Sequence, residues 1–206
     1  MNQLLLATNN PGKVLEIASI LKHAWLGTGS QDWQLLIPAD LGIILDVPED
    51  GTTYAENAAK KAVAFCQHSR ITSLADDTGL EVDVLKGEPG LRSARFSDKP
   101  GASDADRRAF LLEKLAGFPR PWQAHFNCTV AIATLSGKLF LTQGACHGEI
   151  IPVEKGDHGF GYDCIFFIPE LNLTMAELTA EEKNRISHRA IAVKQAAQII
   201  PGLLLE

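Results

Sequence analysis

Several stretches of the sequence carry side chains that suit a phosphorylated, metal-bound ligand. The first is Thr8-Asn-Asn-Pro-Gly-Lys13, which follows an apolar run and precedes a helix-like pattern. A turn from a strand into a helix collects unpaired backbone N–H groups at the positive end of the helix dipole, so it favours an anion. Lys13 adds a full positive charge. The turn is not a Walker A motif, and an ordinary tight connection is the alternative interpretation.

The second stretch places two carboxylates, Asp76 and Asp77, directly before Thr78. Adjacent carboxylates are costly unless a cation or solvent compensates them. Mg²⁺ is bound through one or two carboxylates together with substrate phosphates. Further oxygen ligands are available from Glu49, Asp50 and Glu56. A solvated acidic turn is the alternative, because Asp is common in turns, and the nearby Lys60-Lys61 pair also suits the wet face of a helix.

The third and fourth stretches lie in the second half of the chain. In "HGFGYDC", residues 158–164, flexible glycines flank Phe160 and Tyr162. Such rings stack well on purines, although they also suit a core beside a bend. The fourth stretch is "SHR", in which His188 and Arg189 follow soon after Lys183. An arginine side chain only donates hydrogen bonds, so it suits a keto oxygen and not an amino group. A solvated helix start is the alternative for this last stretch.

The elements that must position these residues alternate between strands and helices. Residues 3–8 are predicted as a buried strand, and a helix follows Gly12-Lys13 with its apolar residues on one face. A second helix is predicted from Tyr54 to Phe65. "ITSLADDTGLEVDVL" is interpreted as two strands that meet at Asp77-Thr78-Gly79, with the charged turn between them.

The remaining elements complete an α/β pattern. Asp104 to Leu115 is predicted as a helix with Ser103 as its N-cap, and two strands joined at Ser136-Gly137 follow. Thr179 and Glu182 form a predicted capping box before a charged helix. No repeat or linker interrupts the chain, so we predict one domain over residues 1–206. Its predicted class is α/β, with a mixed central β-sheet flanked by helices.

Composition excludes several classes of function. The 206 residues carry a formal net charge of −6, which argues against wrapping duplex nucleic acid. No apolar run reaches the ~18 residues of a membrane span, and the N-terminus does not resemble a secretory signal. The four cysteines are scattered without a Cys-x-x-Cys pair, so we expect reduced, mostly buried thiols in a cytoplasmic protein. A structural or redox protein organised by cysteines is poorly supported.

Taken in order, the motifs resemble the inosine triphosphate pyrophosphatase family, whose members hydrolyse dITP, ITP and XTP to the monophosphate and pyrophosphate. The matching stretches are "LATNNPGK", "ENAAKKA", "ADDTGLEVDVLKGEPGLRSARFS", "GFGYD" and "EEKNRISHRAIA". The match spans nearly the whole chain. The resemblance implies two lobes with the active site in the cleft between them, a magnesium cofactor of one or more ions, and a homodimer.

The resemblance also implies roles for individual residues. The metal ligands it implies are Glu49 and Asp77, and Asp77 is also the implied proton acceptor. The residues implied to bind the triphosphate are Thr8, Asn9, Asn10, Pro11, Gly12, Lys13, Lys61 and Thr78. The residues implied to bind the base are Phe160, Gly161, Tyr162, Asp163, Lys183, His188 and Arg189. Donors aimed at a purine 6-keto oxygen would accept hypoxanthine or xanthine and oppose adenine, and guanine must be excluded at its 2-amino group.

Two departures from the family pattern stand out. Cys164 occupies the position where a proline usually follows Phe-Gly-Tyr-Asp, and Arg92 stands where an aromatic residue is common. Neither removes a proposed catalytic group. The rival hypotheses are a pyrophosphatase for modified pyrimidine nucleotides and a regulatory module that senses purine triphosphates without hydrolysis. The carboxylate set of Glu49, Asp76 and Asp77 favours an enzyme over a sensor.

Overall fold

A mixed β-sheet with helices packed against it forms the architecture, which the computed structural model describes for residues 2–26 and 33–204. The strands are β1 Asn2–Leu6, β2 Trp33–Leu36, β3 Ser73–Val82, β4 Trp122–Ala133, β5 Leu139–Ile150, β6 Phe166–Ile168 and β7 Leu173–Thr174. The α-helices are α1 Pro11–Trp25, α2 Tyr54–Ser69, α3 Asp104–Leu115, α4 Ala180–Ile186 and α5 His188–Ile199. Short 3₁₀ helices span Pro38–Leu41, Asp83–Leu85, Gly90–Arg95, Asp163–Ile165 and Ile200–Leu204.

The described strands form one sheet in the order β2-β1-β3-β4-β5-β6-β7. β1 pairs in parallel with β2 and β3, whereas β6 pairs antiparallel with β5 and β7. The sheet is therefore mixed, and the predicted α/β class is confirmed. The described helices are all too short or too polar to span a bilayer.

The chain divides into two compact units. Unit 1 comprises Met1–Asp77, Cys128–Gly144 and His188–Glu206, and unit 2 comprises Thr78–Asn127 and Ala145–Ser187. The boundaries fall inside β3, β4 and β5 and between α4 and α5. Each of these strands therefore contributes to both units.

Unit 1 has an apolar cluster on each face of its strands. Leu4 and Leu6 of β1 pack with residues of α1 and α5, whereas Leu5 packs in a separate cluster with residues of α2. Successive side chains of a strand point to opposite faces. The continuous apolar run of β1 is therefore explained by helices that cover both sides of it.

Gly144 of β5 allows α5 to approach the sheet closely. A Cβ atom built at this position would lie 2.2 Å from the carbonyl oxygen of His188 and 2.8 Å from the backbone nitrogen of Ala192. Thr142, on the same strand, donates a hydrogen bond of 2.8 Å from its Oγ1 to the carbonyl oxygen of Ala192. These contacts fix the first turns of α5 against β5.

Unit 2 surrounds a single apolar cluster of its own. Leu80 and Val82 of β3 pack with Leu111 and Leu115 of α3, and all four side chains are fully buried. The N-terminus of α3 is capped by Ser103 and Asp106, whose side chains each accept a hydrogen bond from the other residue's backbone N–H. The predicted bounds and N-cap of this helix are confirmed.

The main error of the sequence interpretation concerns β3. "ITSLADDTGLEVDVL" was interpreted as two strands meeting at Asp77-Thr78-Gly79, but Ser73–Val82 is one continuous strand. The interpretation as a solvated acidic turn is also wrong, because Asp76 and Asp77 are only 1% and 7% exposed. Partners from distant parts of the chain compensate their charge, so the strand continues through them.

Other boundaries differ less. α2 continues four residues beyond the predicted end at Phe65, and the closing stretch contains two helices that separate at Ser187. The hairpin predicted at Ser136-Gly137 lies between β4 and β5, which are neighbours in the sheet.

The close approach at Gly144 predicts a large effect of a small substitution. Gly144→Ala should lower the free energy of unfolding by about 1–3 kcal/mol, because the added methyl group has no room beside α5. Urea denaturation followed by circular dichroism would measure the change. Gly202→Ala is the matched control, since no atom lies within 4 Å of its Cβ position, and equal effects of both substitutions would contradict the packing argument.

Candidate functional site

The turn between β1 and α1 is built as a helix N-terminus. Asn10 is the N-cap, and its side-chain oxygen accepts a hydrogen bond of 3.2 Å from the backbone N–H of Lys13. Pro11 occupies the first helical position, where its missing N–H costs nothing. Thr8 Oγ1 accepts a hydrogen bond from the backbone N–H of Asn10. The predicted strand, turn and helix are confirmed here, and the helix dipole adds to the charge of Lys13.

Asp76 lies at the centre of a buried ion-pair network in unit 1. Its Oδ2 atom is 3.1 Å from Lys13 Nζ and 3.1 Å from Arg189 Nε. Burial alone would raise the pKa of Asp76, but Lys13, Arg189 and Lys61 together hold it well below its usual value. Asp76 is therefore ionised at neutral pH, and it orients two cations.

Glu16 extends this network on α1. Its Oε2 atom is 2.5 Å from Arg189 Nη1. Although burial opposes the charge of Arg189, Asp76 and Glu16 raise its pKa above the usual value. Glu16 is not among the site residues predicted from the sequence. The available signal was its position three residues after Lys13, which places both on one face of the helix.

Lys61 of α2 is held by both backbone and side-chain oxygens. Its Nζ atom donates a hydrogen bond of 2.7 Å to Glu49 Oε1 and one of 2.6 Å to the carbonyl oxygen of Asp76. Burial lowers its pKa, but Asp76, Glu49 and Asp77 outweigh burial and raise it. Lys61 is therefore not on a wet helix face, whereas Lys60 is half exposed and pairs with Asp50 at the surface.

Asp77 has a different environment from its neighbour. Asn57 Nδ2 donates a hydrogen bond of 2.9 Å to Asp77 Oδ2. Burial and the nearby Glu49 raise the pKa of Asp77, although Lys61 and Asn57 act in the opposite direction. Asn57 is also not among the predicted site residues, although it lies in the family-like stretch "ENAAKKA".

Glu49 and Asp77 could supply two of the oxygen ligands of a divalent cation, but not a complete set. Among residues 2–26 and 33–204, no group of three or more His, Cys, Asp or Glu side chains forms a ready metal site. Glu49 and Asp77 are nevertheless close enough for their charges to interact, and Mg²⁺ needs only one or two carboxylates when substrate phosphates supply the rest. Asp50 pairs with Lys60, and Glu56 accepts a hydrogen bond from Thr52, so both are engaged elsewhere.

Unit 2 contains a second buried ion pair, which joins Asp163 of the glycine-rich stretch 158–164 to Lys183 of helix α4. Lys183 Nζ lies 2.6 Å from Asp163 Oδ2 and 5.3 Å from the centre of the Phe160 ring. The same carboxylate oxygen accepts a hydrogen bond of 2.9 Å from the backbone N–H of Phe160. These contacts bring three of the predicted base-binding residues together.

The ring of Tyr162 has a structural position. It is buried in the core of unit 2, and its hydroxyl donates a hydrogen bond of 2.9 Å to the carbonyl oxygen of Ser93. Burial raises its pKa above the usual value. Its predicted contact with the base is therefore limited to whatever its backbone can offer.

His188 and Arg189 open helix α5 in unit 1. Their exposures are 3% and 2%, so the interpretation as a solvated helix start is wrong. Arg189 directs its guanidinium to Asp76 and Glu16. Arg189 and Lys13 thus contact the same carboxylate, that of Asp76. Thr78 directly follows Asp77 and is the first residue of unit 2.

Comparison with known proteins agrees with this fold and these residues. The profile of the Ham1 family matches residues 4–199. A dITP/XTP pyrophosphatase of Desulforamulus reducens is 44% identical over 98% of both chains. A HAM1 protein from Coxiella burnetii has a similar structure, with a TM-score of 0.85 and 32% identity over 98% of this chain and 100% of that one. The Staphylococcus aureus Ham1 protein aligns with a TM-score of 0.83 and 34% identity, covering 98% and 99% of the two chains.

The chain therefore belongs to the Ham1 family. This membership confirms the resemblance found in the sequence motifs.

The ion-pair network predicts a strong dependence of stability on Asp76. Asp76→Asn should lower the free energy of unfolding at pH 7 by about 3–5 kcal/mol, because it leaves Lys13 and Arg189 beside a neutral group in a buried position. Urea denaturation would measure the loss. Asp50→Asn, which removes an exposed ion pair, should leave stability unchanged.

The lowered pKa of Asp76 also predicts how the stability of the fold depends on pH. Since the pKa of Asp76 is lowered in the folded state, its contribution is complete above the unfolded value of about 3.9 and is lost as the pH falls below it. The difference between the wild type and Asp76→Asn should therefore shrink below about pH 4. A difference that is constant from pH 7 to pH 3 would contradict this assignment.

Proposed function

We propose that this protein hydrolyses deaminated purine nucleoside triphosphates, such as dITP, ITP and XTP, to the nucleoside monophosphate and pyrophosphate. The observation that carries the proposal is a set of cations and carboxylates around the buried Asp76 of β3, where Lys13 contacts Asp76, and Lys61 contacts Glu49 and the Asp76 backbone. The names of the similar dITP/XTP pyrophosphatases support the choice of substrate.

In this proposal the triphosphate is bound by residues of unit 1 and by Thr78. The N-terminus of α1 offers backbone N–H groups, and Lys13 and Lys61 supply two positive charges. Asp76 keeps Lys13 in place before substrate arrives, which lowers the entropic cost of binding. Both lysines neutralise the charge that develops on the departing pyrophosphate.

We propose Mg²⁺ as the cofactor, held by Glu49 and Asp77. When bound, the metal ion would neutralise phosphate charge and lower the pKa of a coordinated water. Lys61 contacts Glu49 and influences Asp77 electrostatically, so both carboxylates share one cation before a metal arrives.

Asp77 is proposed to orient and deprotonate the attacking water. A carboxylate within hydrogen-bond reach of the attacking water can accept its proton as a general base. Asn57 fixes the carboxylate through Oδ2. This hydrogen bond thus holds the Asp77 carboxylate in one orientation.

The purine base is proposed to interact with Phe160 and with the buried pair of Asp163 and Lys183, all of which belong to unit 2. The ring of Phe160 offers a stacking surface, and Lys183 Nζ donates hydrogen bonds only. A donor suits the 6-keto oxygen of hypoxanthine or xanthine and leaves adenine's amino group unpaired, which discriminates strongly in a buried site. We also propose a homodimer, from the family resemblance, and a cytoplasmic location, because the four free thiols suit a reducing compartment.

Pyrophosphate release provides the direct test of substrate class. The purified protein should release pyrophosphate rapidly from dITP and XTP in the presence of Mg²⁺, and slowly from dGTP, dATP and a modified pyrimidine triphosphate. Omission of Mg²⁺ should abolish the release. Binding of dITP without any release would favour the regulatory sensor, and preference for the pyrimidine would favour the rival pyrophosphatase.

The role of Asp77 is tested by a single substitution. Asp77→Asn should reduce kcat for dITP by about 10²-fold or more, because an amide cannot accept the proton of the attacking water. Steady-state kinetics with saturating Mg²⁺ would measure it, and circular dichroism would verify the fold. Asp50→Asn, which alters an exposed carboxylate of the same unit, should retain wild-type turnover, and wild-type turnover in Asp77→Asn would rule out the assignment.

A further inference from the structure

The backbone of Gly161 is held by one face of helix α3. Asp104 Oδ2 accepts a hydrogen bond of 2.8 Å from the Gly161 N–H, and Arg108 Nη1 donates one of 2.9 Å to the Gly161 carbonyl oxygen. Asp104 and Arg108 are four residues apart, which places them on the same side of the helix. Both backbone polar groups of this glycine are therefore bound by side chains of a single element.

Arg108 is itself fixed by Glu154. Its Nε and Nη2 atoms lie 2.7 and 3.0 Å from the two carboxylate oxygens of Glu154, so the pair is bidentate. The Arg108 side chain is 14% exposed. Glu154 also shares a hydrogen bond with the thiol of Cys164, and burial together with Glu154 raises the pKa of that thiol to about 11.

Packing does not fix the conformation of the loop at Gly161. Its φ angle is +64°, and no atom lies within 4 Å of a Cβ built there. Glycine populates this left-handed region freely, together with other regions. The hydrogen bonds from α3 therefore select one conformation from several that the glycine permits.

The proposed base-binding residues lie on either side of this fixed peptide. Phe160 precedes it, and Asp163, which pairs with Lys183, follows two residues later. α3 is a firm support, because Leu111 and Leu115 are fully buried in the core of unit 2. A change at Gly161 would consequently move the stacking ring and the buried ion pair together.

We propose that Asp104 and Arg108, supported by Glu154, are positioning residues that set base specificity by fixing the Gly161 peptide. This inference rests on the proposed function. The bidentate pair with Glu154 fixes the plane of the Arg108 guanidinium, and so it fixes the direction from which Arg108 donates to the Gly161 carbonyl oxygen. Asp104, Arg108 and Glu154 are not among the residues proposed to bind phosphate.

The test compares Arg108→Gln with the wild type in steady-state hydrolysis of dITP and dGTP. We expect KM for dITP to rise about tenfold or more, since a shift of about 1 Å in a positioning group can cost up to 10²-fold. The value of kcat for dITP should stay within about threefold of the wild type. The ratio of kcat/KM for dITP to kcat/KM for dGTP should decrease. Lys99→Gln is the matched control, because it removes an exposed ion pair with Asp106 at the start of the same helix.

Inhibition by inorganic triphosphate distinguishes positioning from a general loss of structure. This compound has no base, so its inhibition constant should be the same for Arg108→Gln and the wild type. Glu154→Gln is a second variant whose half-exposed side chain tolerates replacement; it should raise KM in the same direction by a smaller factor, and it carries the test alone if Arg108→Gln does not fold.

The outcomes separate this inference from the proposed function. A wild-type protein that does not hydrolyse dITP would overturn both. A wild-type protein that prefers dITP, with folded variants that retain its KM and base preference, would overturn the positioning role alone. Weaker inhibition by triphosphate in parallel with the rise in KM would also overturn it, since the effect would then not be confined to the base.

Discussion

The ionised carboxylate of Asp76 is the constraint on which the rest of unit 1 depends. A fully buried negative charge is costly unless cations accompany it, and Lys13, Arg189 and Lys61 supply them from three different helices. The helices that cover the sheet must therefore adopt positions that bring these cations to one strand. Packing of apolar side chains stabilises the same arrangement on both faces, so electrostatics and packing specify one structure.

Unit 2 uses the same principle on a smaller scale. Asp163 and Lys183 form a buried pair, and Asp163 also binds the backbone of the glycine-rich loop. In both units a carboxylate organises the groups proposed to contact substrate and does not itself need to react. The proposed reaction then requires little rearrangement of charged groups, which is how a preorganised site lowers a barrier.

Local patterns predicted much of the fold. Helix α3 was correct in its bounds because its cap and the prolines beyond it are local signals. β3 was wrongly divided because Asp-Asp-Thr-Gly has the composition of a turn, and the partner that stabilises it, Arg189, is 113 residues away. The turn before α1 already predicted an anion site at Lys13, whereas the role of Lys61 rests on the family resemblance, because the Lys60-Lys61 pair alone also fits the wet face of a helix. Glu16 and Asn57 were not singled out, because spacing and motif do not show that they contact Arg189 and Asp77 in the fold.

The alternation of side chains along β3 has a consequence for Asp76 and Asp77. Leu74 belongs to the cluster beneath α1 and α5, and Ala75 to the cluster beneath α2; Asp76 and Asp77 continue the same two series, contacting Arg189 and Asn57 respectively. The pKa values of these two neighbouring aspartates are therefore shifted in opposite directions, because their side chains point to opposite faces of the sheet. Inserting or deleting one residue before them in β3 would exchange the faces of the sheet to which their side chains point, so position along the strand, and not residue type, separates the anchor from the proposed general base.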